Sequence, residues 1–231
     1  MLREIYEFVI ENKEIIKVVY GLIIGIICVA IVVKTDRLFK LSYHEGIRYF
    51  RNAFFFYGIA FIIRYIFGSM LFPFVDLDSY SVIKVFFEYF LIMAGFFLFY
   101  SLLWRKIEAK EHAYSSLFNA KILVFYIMSL VFVILDYVWE TYAFMFISQI
   151  FLFFFLSVLS FINYKKDKLK HTFPRFYFIA VFIGLIAWIL NLAAALWLQW
   201  NVIILIGIYI LDVFVFLIFL AGVINIVKIR K

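Results

Sequence analysis

Seven stretches of about 20 residues, at 15–33, 53–72, 82–104, 119–138, 142–162, 176–198 and 202–227, run almost without charge. Each is long enough to cross the roughly 30 Å hydrocarbon core of a bilayer as a helix. Lipid offers the backbone no hydrogen-bond partner, so a crossing segment is either a helix or a strand of a closed barrel. Barrel strands are roughly ten residues long and alternate in polarity; these runs are longer and continuously apolar. The sequence therefore predicts an all-α fold, a polytopic transmembrane bundle of seven helices.

Composition agrees. Of 231 residues, 68% are hydrophobic and 33 are phenylalanine, where a soluble domain is nearer half apolar. A chain this short has too little interior to hide that surface from water, so much of it faces lipid. No connection exceeds about 20 residues, which leaves one seven-helix transmembrane domain over 1–231 and no soluble domain. Residues 1–14 read as a small amphipathic interfacial helix, apolar at Ile5, Phe8 and Val9 and acidic at Glu4, Glu7, Glu11 and Glu14. This beginning lacks the basic start and cleavage site of a secretory signal, so the first span is expected to be retained.

The breaks have local causes. Pro73 ends the second helix, Asp78 or Ser79 is placed to cap the third, and Pro174 suits the first turn of the sixth. Ser42 and Glu45 form a capping box that starts the second helix near Tyr43. Lysine and arginine then orient the chain. Lys34, Arg37, Lys40, Arg48 and Arg51 lie in the first connection, and Arg105, Lys106, Lys110 and Lys121 in the third. Lys165, Lys166, Lys168, Lys170 and Arg175 lie in the fifth, and Lys228, Arg230 and Lys231 in the tail. The opposite side carries Arg3, Lys13 and Lys17 near the first span and none in the alternate connections, 73–81, 139–141 and 199–201. The positive-inside rule puts the N-terminus outside and the C-terminus in the cytoplasm, as expected of a multi-pass protein of the cell membrane. The net charge of +7 is thus a topology signal rather than a nucleic-acid footprint. Trp104, Trp139, Trp197 and Trp200 fall at span ends, where interfacial anchors belong.

Ionisable groups at membrane depth are costly and are functional candidates by default. Arg64, Lys84, Glu88, Asp136 and Asp212 lie within spans, and with the polar residues Gln149 and Asn191 they fall in the outer half; the inner half is almost entirely apolar. Two readings follow. Lys84 and Glu88 pair at i, i+4, Asp136 reaches outer water, and Arg64 pairs with Asp212 purely to hold helices together. Alternatively, Arg64, Lys84, Glu88, Asp136, Gln149, Asn191 and Asp212, with Trp188 three residues before Asn191 as a wall, line an outward-facing polar cavity for a small ligand or ion. Arg64 and Asp212 are the deepest charges and the leading pair, and Glu88 is the candidate titrating carboxyl.

No catalytic motif accompanies these residues. G-x-S-x-G, P-loop and G-x-G-x-x-G patterns are missing, and the serines at 129, 148, 157 and 160 have no histidine within a span. His44, Glu45, Glu111, His112 and His171 lack metal-ligand spacing, and Cys28 is the sole cysteine. The expectation is a non-enzyme with no cofactor and no metal. Residues 210–213, Ile-Leu-Asp-Val, with seven spans and an outside N-terminus, resemble the last helix and topology of microbial rhodopsins. That resemblance would imply a retinal-bearing lysine four residues after Asp212, where Phe216 stands instead, and no family is assigned.

The leading expectation is a receptor-like sensor or small-ligand binding protein that couples to a cytoplasmic protein partner. The alternative is a transporter or channel for an ion, proton or small solute, and a third reading is an assembly subunit. Partners are the lipid bilayer, anionic lipid at the cytoplasmic face and a possible second copy of the chain, with no nucleic acid. The orientation is directly testable. A cysteine introduced at Glu140 should react with an impermeant maleimide on intact cells, and one at Lys168 only after permeabilisation.

Overall fold

A computed structural model describes residues 7, 10–42, 45–71, 77–107, 120–166, 172–197 and 202–229. They form seven helices. These are α1 (Lys13–Ser42), α2 (Glu45–Phe61, continued by a π-helical segment Ile62–Phe67 and a last turn Gly68–Leu71), α3 (Leu77–Ile107), α4 (Ala120–Val138), α5 (Ala143–Lys166), α6 (Thr172–Leu196) and α7 (Val202–Ile229). No strand occurs among the described residues. All but α4 contain a segment long and apolar enough to cross a membrane; the apolar part of α4, Ile122–Val138, is shorter. The chain is an all-helical, multi-pass membrane protein.

Several boundaries differ from the sequence reading. The connection expected at 34–52 is mostly helix, because α1 runs on to Ser42 and α2 starts at Glu45. Charges that oppose burial do not oppose helix, and here they answer one another. Lys40 pairs with Asp36 one turn earlier at 3.0 Å, Arg48 with Glu45 at 3.2 Å, and Arg51 reaches across the hairpin to Asp36. Ser42 thus ends α1 instead of preceding α2. Asp78 and Ser79 lie inside the first turn of α3, which starts at Leu77. Pro174 falls in the first turn of α6, where its missing N–H costs nothing. Pro73, the apolar positions of the N-terminal segment, and His44, His112 and His171 lie outside the described residues.

The helices close into a ring. Neighbours pack in the order α1–α2–α3–α5–α6–α7 and back to α1, while α4 packs on α3 and α5 from outside. A long apolar run of α4, including Leu123, Ile127, Leu130, Ile134 and Tyr137, is accordingly exposed, as a lipid-facing surface requires. Trp139 and Trp197 are also exposed at helix ends; the side chains of Trp104 and Trp200 are outside the description.

Helix α1 meets α2 at unusually short range. Gly21 and Gly25 form a G-x-x-x-G step, the small-residue device by which membrane helices approach closely. A Cβ on Gly21 would lie 2.6 Å from the Cβ of Tyr65, and one on Gly25 3.5 Å from Ile62, both in the π-helical segment. Farther along, Phe50, Phe54, Phe173, Tyr177 and Phe219 interlock with ring centroids 4.8–6.0 Å apart and plug the ring.

The Gly21 contact is with the root of a side chain, which cannot swing away. Gly21→Ala should therefore cost about 1–3 kcal/mol by overpacking, seen as a lower melting temperature in detergent. Gly207→Ala, where an added Cβ meets nothing within 4 Å, should leave it nearly unchanged.

Candidate functional site: a cavity inside the helix ring

All six ring helices, and not α4, line a cavity of about 650 Å³. Its mouth is polar. Lys13, Glu14 and Lys17 of α1 face Gly68 and Ser69 of α2, with Lys17 paired to Glu14 at 2.8 Å and the Ser69 hydroxyl donating to Glu14 at 3.3 Å. The interior is aromatic, with Phe61, Tyr65, Phe87, Tyr142, Phe146, Phe153, Trp188 and Tyr209 giving way to Phe54, Phe216 and Phe219. On α7 the lining runs from Leu205 to Phe219, about 21 Å at roughly 1.5 Å per residue. The aromatic plug closes the far end.

Asp212 is the acid of the interior. Its carboxylate accepts a hydrogen bond from the Tyr20 hydroxyl at 2.8 Å, and Tyr20 stacks on Tyr209 at 4.0 Å and meets Tyr65 edge-on at 4.9 Å. Tyr209 and Tyr65 are themselves 5.9 Å apart. Four side chains from three helices thus form one cluster. Tyr57, buried on the same lining, has a hydroxyl with no hydrogen-bond partner among the described residues.

Arg64 lines the same cavity from the π-helical segment. Single π-helical turns recur at functional sites because they shift the helix register locally, and this one carries both Arg64 and Tyr65. The guanidinium lies over the rings of Phe87 and Tyr142, at 5.4 and 5.7 Å. The expected ion pair with Asp212 does not form: among the described residues no salt bridge joins the two. Tyr20 holds the acid, and aromatic faces hold the base. Trp188 and Asn191 complete the set of sequence candidates that reach the cavity. Trp188 stands between Phe146 and Phe153, and the Asn191 amide donates to its own helix at Ala187.

The other four candidates are absent from the lining. Lys84, Glu88, Asp136 and Gln149 instead tie α3, α4 and α5 together. Asp136, fully buried, ends α4 and starts α5. One oxygen accepts from the Thr141 hydroxyl at 2.8 Å and the Phe144 N–H at 3.1 Å, the other from the Met145 N–H at 2.7 Å. It does not reach open water, because the free N–H groups of the α5 terminus claim it. The same turn closes through a Thr141 N–H to Asp136 C=O bond and a left-handed Glu140, φ 51°, a position usually given to glycine. Lys84 caps that turn, donating to the Thr141 carbonyl at 2.7 Å with Tyr142 beneath it at 4.2 Å. Glu88, only 1% exposed, lies 3.9 Å from Lys84, the helix-face pairing expected at i, i+4. Gln149 donates to the Leu91 carbonyl at 3.3 Å across α3 and α5, beside Gly95, where a Cβ would strike its side chain at 2.9 Å.

The tyrosines are what sequence reasoning missed. Tyr209 carried a signal, standing three residues before Asp212 on the same helix face, and Tyr65 adjoins Arg64. Tyr20 and Tyr57 are ordinary aromatic positions in apolar helices, and only the closure of the ring brings them to the acid.

Comparison with known proteins adds little chemistry. No family model matches the chain, and no solved structure matches it. A protein of the archaeon Archaeoglobus fulgidus, described only as uncharacterized, is 28% identical over 188 residues, covering 75% of this chain and 76% of its own length.

The roles of the two polar groups separate in a stability measurement. Asp136→Ala strips three buried donors of their acceptor and should cost about 2–4 kcal/mol, read as a large fall in melting temperature. Asn191→Ala, which removes one bond within its own helix, should change it by less than about 1 kcal/mol.

Proposed function

We propose that the chain is a receptor-like membrane protein that takes a small, largely apolar molecule into the helix ring through the mouth at Lys13, Glu14 and Lys17. The observation that carries the reading is the cavity: about 650 Å³, within the 300–1,000 Å³ typical of small-molecule sites, and mostly apolar with a few convergent polar groups. The lysine and arginine distribution assigns the mouth to the exterior. Every wall of the cavity is a different helix of the ring, so an occupant that separates α1 and α7 from α2 also displaces their opposite ends. Those ends carry the basic hairpin of Lys40, Arg48 and Arg51, the surface this reading gives to a cytoplasmic partner or anionic lipid.

The aromatic plug favours binding over conduction. Phe50, Phe54 and Tyr177 are buried below the cavity, which leaves one open end. Transport would require that packing to part.

A thermal-shift screen of the detergent-solubilised protein tests the reading. A ligand at a hundred times its Kd stabilises the folded state by about 2.7 kcal/mol, which raises the melting temperature by several degrees. Leu205→Trp, which fills the cavity at the α7 wall, should abolish that rise while the protein stays monodisperse. Retention of the full shift in this variant would refute the cavity as the binding site. Solute flux into proteoliposomes above protein-free vesicles would move the assignment to transport.

A further inference from the structure

From the Asp212 cluster we infer that the cavity recognises a protonated amine carried on an aromatic body, an arylalkylammonium ion. The inference rests on the cavity being a binding site and specifies which chemistry it selects.

Five charged side chains line the cavity, and three of them, Lys13, Glu14 and Lys17, stand at the mouth. Within, Arg64 lies over two rings, whereas Asp212 has a single polar contact, the Tyr20 hydroxyl on Oδ2. Oδ1 is not among the enclosed atoms that lack a partner, and Asp212 is only partly buried. Its second oxygen is open to the cavity. One phenol does not offset the cost of an ionised carboxylate at this depth, and a cation delivered by a ligand does.

Aromatic rings add the second half of the recognition. Tyr20, Tyr65 and Tyr209 meet within 4.0–5.9 Å of one another beside the acid and line the cavity, a low-dielectric surround in which an ammonium–carboxylate contact counts for more than it does in water. A primary amine has three N–H donors. One can go to Asp212 Oδ1, the carboxylate oxygen that is open to the cavity. Apart from Arg64 and Asn191, whose amide donates to its own helix, the rest of the interior lining is aromatic and aliphatic and suits an aromatic body.

Three probes of matched shape test this on the purified full chain: 2-phenylethylamine, 2-phenylethanol and 3-phenylpropionate, followed by thermal shift and calorimetry. The expected result is stabilisation by the amine, binding at least tenfold tighter than the alcohol and no measurable binding of the acid. Asp212→Asn should weaken the amine on the order of 10- to 100-fold, the value of one charge-assisted contact, and leave the alcohol unchanged. Asp212→Glu should regain part of the loss. Because amine against alcohol is compared on the native chain, the test holds even where the asparagine variant does not fold. Equal binding of amine and alcohol, preference for the acid, or an amine affinity indifferent to Asp212→Asn would each overturn ammonium recognition and leave the cavity assignment standing. Failure of all three probes alongside a Leu205-sensitive hit from the broader screen would do the same; failure of both would end both.

Discussion

The controlling constraint is that hydrocarbon supplies no partner to a polar group. Backbone amides therefore close on themselves in helices, and each polar side chain at depth must find its counterpart within the protein. Helices whose side chains supply such counterparts are drawn together. Asp136 is the clearest instance. Its two oxygens collect donors from Thr141, Phe144 and Met145, and Lys84 closes the same turn from α3. That turn fastens α4, which stands outside the ring, to the α3–α5 wall. The helix with the least apolar length to span a membrane is the one held by a buried polar junction.

The same requirement divides the intramembrane charges into two groups. Lys84 and Asp136 are engaged by the backbone around the α4–α5 turn, while Glu88 lies 3.9 Å from Lys84 with neither oxygen hydrogen-bonded among the described residues. Arg64 lies over the rings of Phe87 and Tyr142, Asp212 accepts one phenol, and both line a cavity. Tyr142 joins the groups, with Arg64 over its ring at 5.7 Å and Lys84 at 4.2 Å. Tyr142, on which Lys84 rests, thus forms part of the cavity wall, and the π-helical segment sets Arg64 into the same wall.

Most of the architecture was legible in the sequence, since length and continuity of apolar runs report directly on how many helices a bilayer can hold. Partnership was not. Whether Arg64 meets Asp212 is a matter of helix order around the ring, which sequence order does not give: α3 meets α5, and α1 meets α7. Nor does hydropathy separate a charge that lines a cavity from one that caps a helix. The Asp136 junction depends on a turn whose sequence, Trp139-Glu140-Thr141-Tyr142, places a left-handed residue without glycine. Charge at 34–42 marks the end of the hydrocarbon and not of the helix: the apolar run ends near residue 33, while α1 continues to Ser42.

The ring closure explains why the cavity exists at all. Two helices packed through Gly21 and Gly25 approach closely at the π-helical segment, and six helices arranged around an axis leave a central volume that side chains must fill. Near the plug they do so, with Phe50, Phe54, Tyr177 and Phe219 meeting ring to ring. Toward the mouth Gly68 and Ser69 occupy lining positions, and small residues cannot fill the same space. At Gly184, near the middle of α6, a Cβ would already strike Phe153 at 2.6 Å, so that ring lies against the α6 backbone instead of across the axis. Interlocked rings at one end and small residues at the other leave the volume between them unfilled, with Asp212 on its wall.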